Sequence, residues 1–196
     1  MRKVIVCNIM SLDGCYTGAD DNVMVMPMDP SFDRMNVEHM RAATTILVGR
    51  ESFELFRSYW PPVSDQPGHS DHNREISRRW REVEIIVVSD SLVIDPALPL
   101  ASNSVVVSRA EAATQVATLK EHDGGEILIF GSHTTWTALL RAGVVDELHL
   151  MVGAAVVGDG RRMFPPDLAM SLRLIGVSSS DGSSNVVVRY AVAPVG

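Results

Sequence analysis

The chain has 196 residues, of which 46% are hydrophobic and 21% are charged. This composition is typical of one compact globular domain, here residues 1–196, that needs neither a disulfide nor a metal ion to stabilise its core. The formal net charge is −7 and no stretch is rich in lysine or arginine, which argues against nucleic acid and anionic membranes as main partners, because both require a basic surface.

The N-terminal sequence enters a β-strand at once. An apolar run predicts a strand over residues 3–10, and a long loop over residues 11–29 follows it. The run is too short for a signal peptide or a membrane span, so we predict a cytoplasmic protein. Cys7 lies in the strand and Cys15 in the loop, and we expect two free thiols in a reducing compartment rather than a disulfide.

Strand and helix patterns alternate through the middle of the chain. Asp29 and Pro30 predict a helix start, because aspartate caps helices and proline suits their first position. The patterns that follow predict a buried strand over 45–48 closed by Gly49, a helix over 50–57, a proline-containing surface loop over 58–70, a charged helix over 71–81, strands over 84–89 and 104–108, and a helix over 110–122.

A strand, a glycine turn and a helix follow one another around residue 130. Residues 126–130 are almost wholly apolar, as expected of a strand covered on both faces, and the helical pattern begins behind Gly131-Ser132. Another strand begins at Asp146-Glu147, and residues 171–179 and 185–192 form a hairpin pattern. These elements predict an α/β fold, with a mostly parallel sheet, interleaved helices and a C-terminal antiparallel hairpin.

Two glycine turns are candidate phosphate sites. Gly131-Ser132 and Gly49-Arg50-Glu51-Ser52 each stand where a buried strand meets a helix, and a helix N-terminus attracts anions. Taken alone, the Gly49 turn is better explained as an ordinary helix start with a solvated Arg50, and Gly131-Ser132 alone is a weak signal. Together they are more informative, because ligands of open α/β sheets bind at the carboxyl ends of the strands. A third glycine turn at residues 158–160 is either part of this site or a simple loop.

Several other polar residues are candidates for chemistry. Asp33 lies one turn into a helix, where it either complements the helix dipole or orients a bound heterocycle and supplies a proton. His133 follows the second glycine turn and would face the cofactor pocket, unless it is only a polar residue at a helix start. Asp13 is predicted to bond to nearby backbone in an Asp-Gly turn. His69 and His72 lack a third ligand, so no metal site is predicted.

Six motifs across nearly the whole chain resemble one family. They are SLDG at residues 11–14, VGRESFE at 48–54, YWP at 59–61, FGS at 130–132, AGVVDEL at 142–148 and VVGDGRRMF at 156–164. In order and spacing they resemble the dihydrofolate-reductase-like family, which includes the reductase domain of bifunctional riboflavin-biosynthesis deaminase-reductases and stand-alone bacterial relatives.

The resemblance implies a fold, a cofactor and an assembly. The fold is an eight-stranded mixed sheet, the hydride donor is NADPH, and the protein is a homodimer built through the sheet edge and the C-terminal hairpin. On matching positions, Gly49, Arg50 and Ser52 would meet the adenosine-side phosphates. Ser89 would lie near the adenine ribose, and the residues at the pyrophosphate would be Gly131 and Ser132.

The chain also departs from the riboflavin reductases. Those enzymes carry a glutamate directly before the glycine turn, where this chain has Phe130, and their substrate-phosphate motif is not recognisable here. Asp33 precedes Gly49 by 16 positions, which matches the separation between the active-site acid and the glycine-arginine turn of bacterial dihydrofolate reductases. Relatives commonly have a basic residue after the strand that ends at Ser89. Here Asp90 would repel a ribose 2′-phosphate and suit NADH, whereas Arg50 favours NADPH.

The sequence therefore supports three hypotheses of different classes. The first is a reductase that transfers a hydride from NADPH, or from NADH, to a small flat substrate of pteridine or pyrimidine type, assisted by Asp33. The second is a non-catalytic NADP(H)-binding or redox-sensing protein, which Phe130 in place of an acid favours. The third is a structural dimer that has lost its cofactor.

Overall fold

Eight β-strands form one sheet in the computed structural model, which describes residues 1–193. The strands are β1 (Val4–Ser11), β2 (Ala43–Gly49), β3 (Glu84–Val88), β4 (Ser104–Val107), β5 (Glu126–Phe130), β6 (Glu147–Gly153), β7 (Leu172–Ser179) and β8 (Val186–Val192). Their order across the sheet is β4-β3-β2-β5-β1-β6-β8-β7. The first six strands are parallel, and β8 pairs antiparallel with both β6 and β7.

Five helices cover the sheet, and they are α1 (Pro30–Ala42), α2 (Arg50–Val63), α3 (Asp71–Glu82), α4 (Ala112–Glu121) and α5 (His133–Arg141). Met40, Phe53 and Trp80 of α1–α3 pack in the core on one face of the sheet. Val116 of α4 and Leu139 of α5 pack in the core on the other face. Within residues 1–193, no helix is long and apolar enough to cross a membrane.

The predicted fold class is confirmed, and its elements follow from simple patterns. β5 occupies residues 126–130 as predicted, and its three central residues are fully buried because helices cover both faces. The helix start at Pro30 is confirmed, because Asp29 accepts hydrogen bonds from the backbone of Ser31 and Phe32. The C-terminal hairpin is confirmed as β7 and β8. Cys7 and Cys15 are both free and buried.

The predicted surface loop over residues 58–70 is wrong in its first part. Helix α2 continues to Val63, although its last turn contains Pro61 and Pro62. Proline near a helix end removes few intrahelical hydrogen bonds, and α3 supplies donors to the free carbonyls there. Ser77 Oγ donates to the carbonyl of Trp60 at 2.7 Å, and the Arg81 guanidinium donates to that of Pro61. Tertiary contacts of this kind are not visible in the local sequence.

A chain of polar side chains lies buried between α1 and the sheet. Nε2 of His39 on α1 lies 3.1 Å from Nδ1 of His149 on β6. Nε2 of His149 bonds to the Glu147 carboxylate at 2.8 Å, and Lys3 Nζ donates to the same carboxylate at 2.7 Å. On the far side, Nδ1 of His39 lies 3.7 Å from Glu126. The chain therefore links α1 to the first strand residues of β5 and β6.

Only one of the two histidines in this chain of hydrogen bonds carries a positive charge. Burial disfavours a charge on His39, yet the neighbouring Cys7 and Glu126 raise its pKa to about 10. Burial lowers the pKa of His149, and the charge on His39 lowers it further. Arg189, opposite His149 on β8, acts in the same direction. His149 is therefore the neutral member of the pair, and its Nδ1 accepts the proton of His39.

We predict that this histidine pair makes folding most favourable near the ordinary histidine pKa of about 6.5. As pH rises from there towards 10, the folded protein loses the stabilisation held by charged His39. As pH falls below 6.5, the unfolded chain binds a proton that folded His149 resists, so stability falls again. The variant His149→Gln keeps an acceptor for His39 but cannot be protonated. The difference in unfolding free energy between wild type and this variant should therefore narrow between pH 7 and pH 5.

Urea unfolding at pH 5, 6 and 7 measures this difference. The matched control is His122→Gln, which removes an exposed histidine at the end of α4 and should show no such narrowing. A difference between wild type and His149→Gln that stays constant with pH would contradict the assignment of the neutral histidine.

Candidate functional site

Four parallel strands end side by side at one edge of the sheet. The register aligns the last residues of β2, β3 and β4, and β5 ends beside β2. Arg50 follows the end of β2, Ser89 that of β3, Ser108 that of β4 and Gly131 that of β5. This carboxyl edge is where ligands of open α/β sheets bind, and it brings the predicted phosphate residues onto neighbouring strands.

The two glycine turns lie side by side, as the sequence predicts. The backbone N–H of Gly49 donates to Ser132 Oγ at 2.9 Å, and the N–H of Ser132 donates to Ser52 Oγ at 3.1 Å. Gly49 is the N-cap of α2 and Ser132 is the N-cap of α5. The positive ends of two helix dipoles therefore meet at this point, which favours an anion.

Hydroxyl groups lie close to both glycines, and the geometry there favours glycine. A Cβ atom on Gly49 would lie 2.8 Å from Thr135 Oγ1, closer than carbon and oxygen normally approach. Gly131 and Ser132 both adopt left-handed backbone conformations, with φ of 53° and 52°, which glycine tolerates and other residues rarely adopt. A Cβ on Gly131 would meet Ser52 Oγ at 3.4 Å. The floor between the turns is therefore lined by glycine and hydroxyl groups.

Asn8 holds the second glycine turn, although its sequence position did not predict this role. Its Oδ1 accepts the N–H of Gly131 at 2.7 Å, and its Nδ2 lies 3.4 Å from the carbonyl of the same residue. The available signal was a single amide side chain within the apolar run of β1. Such a residue in a buried strand usually has a specific partner.

The backbone N–H groups at the two turns are already used within the protein. Those of Gly49, Gly131 and Ser132 donate to side-chain oxygens, whereas the sequence assigned them to phosphates. Arg50 is exposed and forms no ion pair with any of residues 1–193. Because the helix dipoles and this guanidinium remain available, the positive character of the site comes from them and not from the turn N–H groups.

Ser89 and His133 are each engaged within the protein. Ser89 is buried and its Oγ accepts the backbone N–H groups of Ser91 and Leu92, so its hydroxyl shapes the turn after β3. His133 was expected to face the cofactor pocket, and in the structure its side chain is held by two contacts within the protein. Its ring stacks on Tyr16 at 4.5 Å and its Nε2 lies 2.9 Å from the carbonyl of Met163. Burial lowers the pKa of His133, so the neutral ring donates this hydrogen bond.

Asp33 is half-buried in the first turn of α1, at the same edge of the sheet as the glycine turns. Its Oδ2 accepts a hydrogen bond of 3.0 Å from Asn73 Nδ2 on α3. Burial raises the pKa of the carboxyl, and the Asn73 hydrogen bond and nearby His72 oppose that rise. The candidate acid is therefore held by α3, and its hydrogen bond does not join it to either glycine turn.

The long loop between β1 and α1 is fastened to the segment after β6. Asp13 was expected to bond locally, but its carboxylate accepts the N–H groups of Val157 and Gly158 at 3.1 and 2.8 Å. A hydrogen bond from the Ser11 side chain lowers the pKa of Asp13 most, and the two backbone bonds lower it further. An ion pair also joins Arg161 to Asp21. The third glycine turn is therefore a packing site for this loop in the structure.

The histidines of the HxxH segment have separate environments. Arg74 Nε donates to the carbonyl of His69 at 3.2 Å, and His72 lies in the first turn of α3. In the part of the chain that the structure describes, no three His, Cys, Asp or Glu side chains are arranged to hold a metal ion.

Comparison with known proteins identifies relatives of the whole chain. The family model of the RibD C-terminal domain matches residues 2–188. The uncharacterized protein YyaP of Bacillus subtilis (strain 168) is 27% identical over 186 residues, which cover 95% of this chain and 92% of that protein.

Two solved structures share the fold. A pyrimidine reductase-like protein from Corynebacterium diphtheriae has a TM-score of 0.70 at 18% identity, over 98% of this chain and 92% of that one. A deaminase/5-amino-6-(5-phosphoribosylamino)uracil reductase from Thermotoga maritima has a TM-score of 0.67 at 12% identity. This alignment covers 98% of the present chain but only 57% of the Thermotoga chain.

Because Thr135 lies close to Gly49, we predict that Gly49→Ala destabilises the protein and that Thr135→Ala relieves this loss. Gly49→Ala introduces a methyl group 2.8 Å from Thr135 Oγ1, and overpacking of this kind costs about 1–3 kcal/mol. Its φ of −80° is allowed for alanine, so the cost is steric alone. The double variant Gly49→Ala, Thr135→Ala should therefore recover most of the lost unfolding free energy.

Chemical denaturation of the two single variants and the double variant measures this coupling. Thr135→Ala alone is the control for loss of the hydroxyl. Additive effects of the two substitutions would show that the two turns do not touch as described.

Proposed function

We propose that this chain, which belongs to the RibD C-terminal domain family, is an NAD(P)H-dependent reductase that transfers a hydride to a small flat substrate. Membership of the family supports a reductase-type function. The observation that carries the proposal is the contact between the Gly49 and Gly131 turns, which creates one anion-binding corner at the carboxyl edge of the sheet.

The residues at this corner fit the diphosphate of a dinucleotide. Two helix N-termini and the exposed Arg50 supply positive potential. The glycines at the two turns pack against the hydroxyl groups of Thr135 and Ser52. A bound nicotinamide would supply the hydride, while the protein contributes position and electrostatics. Gly49, Arg50, Ser52, Gly131 and Ser132 are the residues that we propose to hold the cofactor, with Ser89 near its adenine ribose.

We propose that Asp33 binds the substrate and assists its protonation. A carboxyl group that is half-buried, with a raised pKa, can hold a proton at higher pH than an exposed aspartate. In this position it would orient a heterocycle and assist protonation beside the carbon that receives the hydride. The loop over residues 12–29 exposes apolar side chains, among them Met24 and Met28, and we propose that it covers the substrate.

We propose a pteridine- or pyrimidine-like substrate. The name of the Corynebacterium diphtheriae protein points to pyrimidine reduction, and that of the Thermotoga maritima enzyme to a phosphoribosylaminouracil. Phe130 stands where riboflavin reductases carry a glutamate, so this chain lacks one acid of those enzymes. The spacing between Asp33 and Gly49, which matches dihydrofolate reductases, supports an acid supplied from α1 instead.

The alternative is a non-catalytic NADP(H)-binding or redox-sensing protein. Phe130 in place of an acid favours it. Burial of both Cys7 and Cys15 argues against sensing through thiols, because reactive cysteines are partly exposed.

We also propose a homodimer through the C-terminal hairpin. Edge strand β7 exposes Leu174, Ile175 and Val177, and an exposed apolar edge of this kind is usually covered. Next to it, the sheet face opposite α1 forms an apolar depression. Its lining residues are Met10, Leu150, Val152, Phe164, Met170, Leu172, Val188 and Tyr190.

The proposed activity is tested by single-turnover oxidation of NADPH with a panel of pterins and pyrimidines. We expect at least one compound to be reduced, and we expect Asp33→Asn to slow its reduction about a hundredfold, since general acid catalysis contributes about 10²–10⁴. The matched control is Asp167→Asn, which removes an exposed carboxylate that pairs with Arg141 at the C-terminal end of α5 and should leave the rate unchanged.

Other outcomes select other functions. A rise in melting temperature with NADPH but no oxidation by any compound would favour the non-catalytic binding protein. If neither dinucleotide raises the melting temperature, the remaining hypothesis is a structural dimer that has lost its cofactor. A substrate whose reduction is unaffected in Asp33→Asn would remove the assigned role of this carboxylate.

Asp90 and Arg109 predict how the cofactor is chosen. Asp90 follows β3, and its carboxylate accepts the backbone N–H of Arg109 at 2.9 Å and lies 3.3 Å from the Arg109 guanidinium. Both side chains are exposed, so their ion pair is weak and the guanidinium can turn to a 2′-phosphate. We expect Arg109→Ala to weaken NADPH binding about tenfold, as for a lost charge-assisted hydrogen bond, and to leave NADH binding unchanged.

Isothermal titration with both dinucleotides measures this preference. Asp90→Asn should strengthen NADPH binding, because a carboxylate is removed from its 2′-phosphate. Arg141→Ala, which breaks an exposed ion pair with Asp167 at the far end of α5, is the control. Equal losses of NADPH and NADH affinity in Arg109→Ala would contradict the prediction.

A further inference from the structure

The two carboxylate oxygens of Asp33 have different surroundings. Oδ2 accepts the amide hydrogen of Asn73 at 3.0 Å. Oδ1 receives no hydrogen bond from residues 1–193, and it is not sealed from solvent. The carboxylate therefore presents one oxygen that is occupied by the protein and one that is open.

Asn73 is itself held firmly in place. Its backbone N–H donates to Ser70 Oγ at 3.1 Å, which caps the N-terminus of α3. Its side-chain Oδ1 is buried and has no hydrogen-bond partner within the described residues. Because an ionised carboxylate can accept hydrogen bonds but cannot donate them, the amide must turn its NH₂ group to Asp33. This leaves the amide oxygen without a partner, so the orientation of Asn73 is set by Asp33.

The charges around Asp33 come from two elements. Burial raises the pKa of Asp33, and Asp29 at the N-cap of α1 raises it further. The Asn73 hydrogen bond and His72, both on α3, act in the opposite direction. Asn73 and His72 of α3 therefore favour the ionised carboxylate, while burial and the Asp29 carboxylate favour the protonated form.

We propose that Asn73 is a positioning residue, which fixes the Asp33 carboxylate so that Oδ1 alone meets the ligand. The ligand class that fits is a heterocycle with an amino or ring N–H donor at its edge, because an open carboxylate oxygen accepts such a donor. This inference rests on the proposed function for its ligand, but the hydrogen bond between the two residues can be tested without any ligand.

The first test is a ¹³C NMR titration of the aspartate carboxyl groups in the full chain. Loss of the amide in Asn73→Ala should move the Asp33 titration to higher pH, because a hydrogen bond to the ionised form is removed. Asn73→Asp, which keeps the size of the side chain but adds a carboxylate, should move it further. The control Ser77→Ala removes hydrogen bonds between α3 and the end of α2 and should lower stability without moving the Asp33 titration.

The second test uses 2-aminopyrimidine as the ligand probe, with unsubstituted pyrimidine as the matched compound that lacks N–H donors. We expect only 2-aminopyrimidine to shift the Asp33 carboxyl signal, and we expect Asn73→Ala to weaken that binding about tenfold. With a reducible substrate, the pH dependence of kcat should move to higher pH in Asn73→Ala.

The outcomes separate this inference from the proposed function. An Asp33 titration that is the same in wild type, Asn73→Ala and Asn73→Asp would overturn the positioning role. Equal effects of the two pyrimidines on Asp33 would overturn the ligand class. If the Asp33 titration shifts in the Asn73 variants but the protein binds neither NADPH nor NADH, the positioning role of Asn73 stands and the proposed reductase function is rejected.

Discussion

Two hydrogen bonds between neighbouring strand ends organise the candidate site. Gly49 donates to Ser132, and Ser132 donates to Ser52, so the turn before α2 and the turn before α5 hold each other in place. The chain can make this contact only because β2 and β5 are adjacent parallel strands that end at the same edge. The left-handed backbone at Gly131 and Ser132 then starts α5 where its positive end meets that of α2. A change in the sheet order would separate the two turns.

The parts of the fold that depend on local patterns could be predicted from the sequence. The buried run of β5, the start of α1 at Asp29-Pro30 and the C-terminal hairpin all follow from periodicity and turn chemistry. The end of α2 could not, because Pro61 and Pro62 argue locally for a loop. The helix continues there since Ser77 and Arg81, which lie far along the chain, bind the free carbonyls of its last turn.

The same distinction applies to the site. Glycine and serine at strand ends are local signals, and they led to Gly49, Ser52, Gly131 and Ser132. The roles of other residues depend on partners that no local pattern shows. Asn8 reaches Gly131 from β1, and His133 turns away to stack on Tyr16 of the long loop. These contacts join residues more than 100 positions apart, so only the assembled sheet reveals them.

The candidate acid and the glycine turns are built on separate parts of the molecule. Asp33 and Asn73 belong to α1 and α3, which pack on one face of the sheet, whereas the turns belong to the ends of β2 and β5. Under the proposed function, a substrate would lie between a corner that binds the diphosphate of the cofactor and a helix pair that binds the polar edge of a ring. Because the two parts share no hydrogen bond within residues 1–193, substitutions on α1 or α3 can alter the ring edge that is recognised without disturbing the turns. In the proposed arrangement a single cofactor site would accommodate different substrates, and the position of one amide on α3 would decide which oxygen of Asp33 they meet.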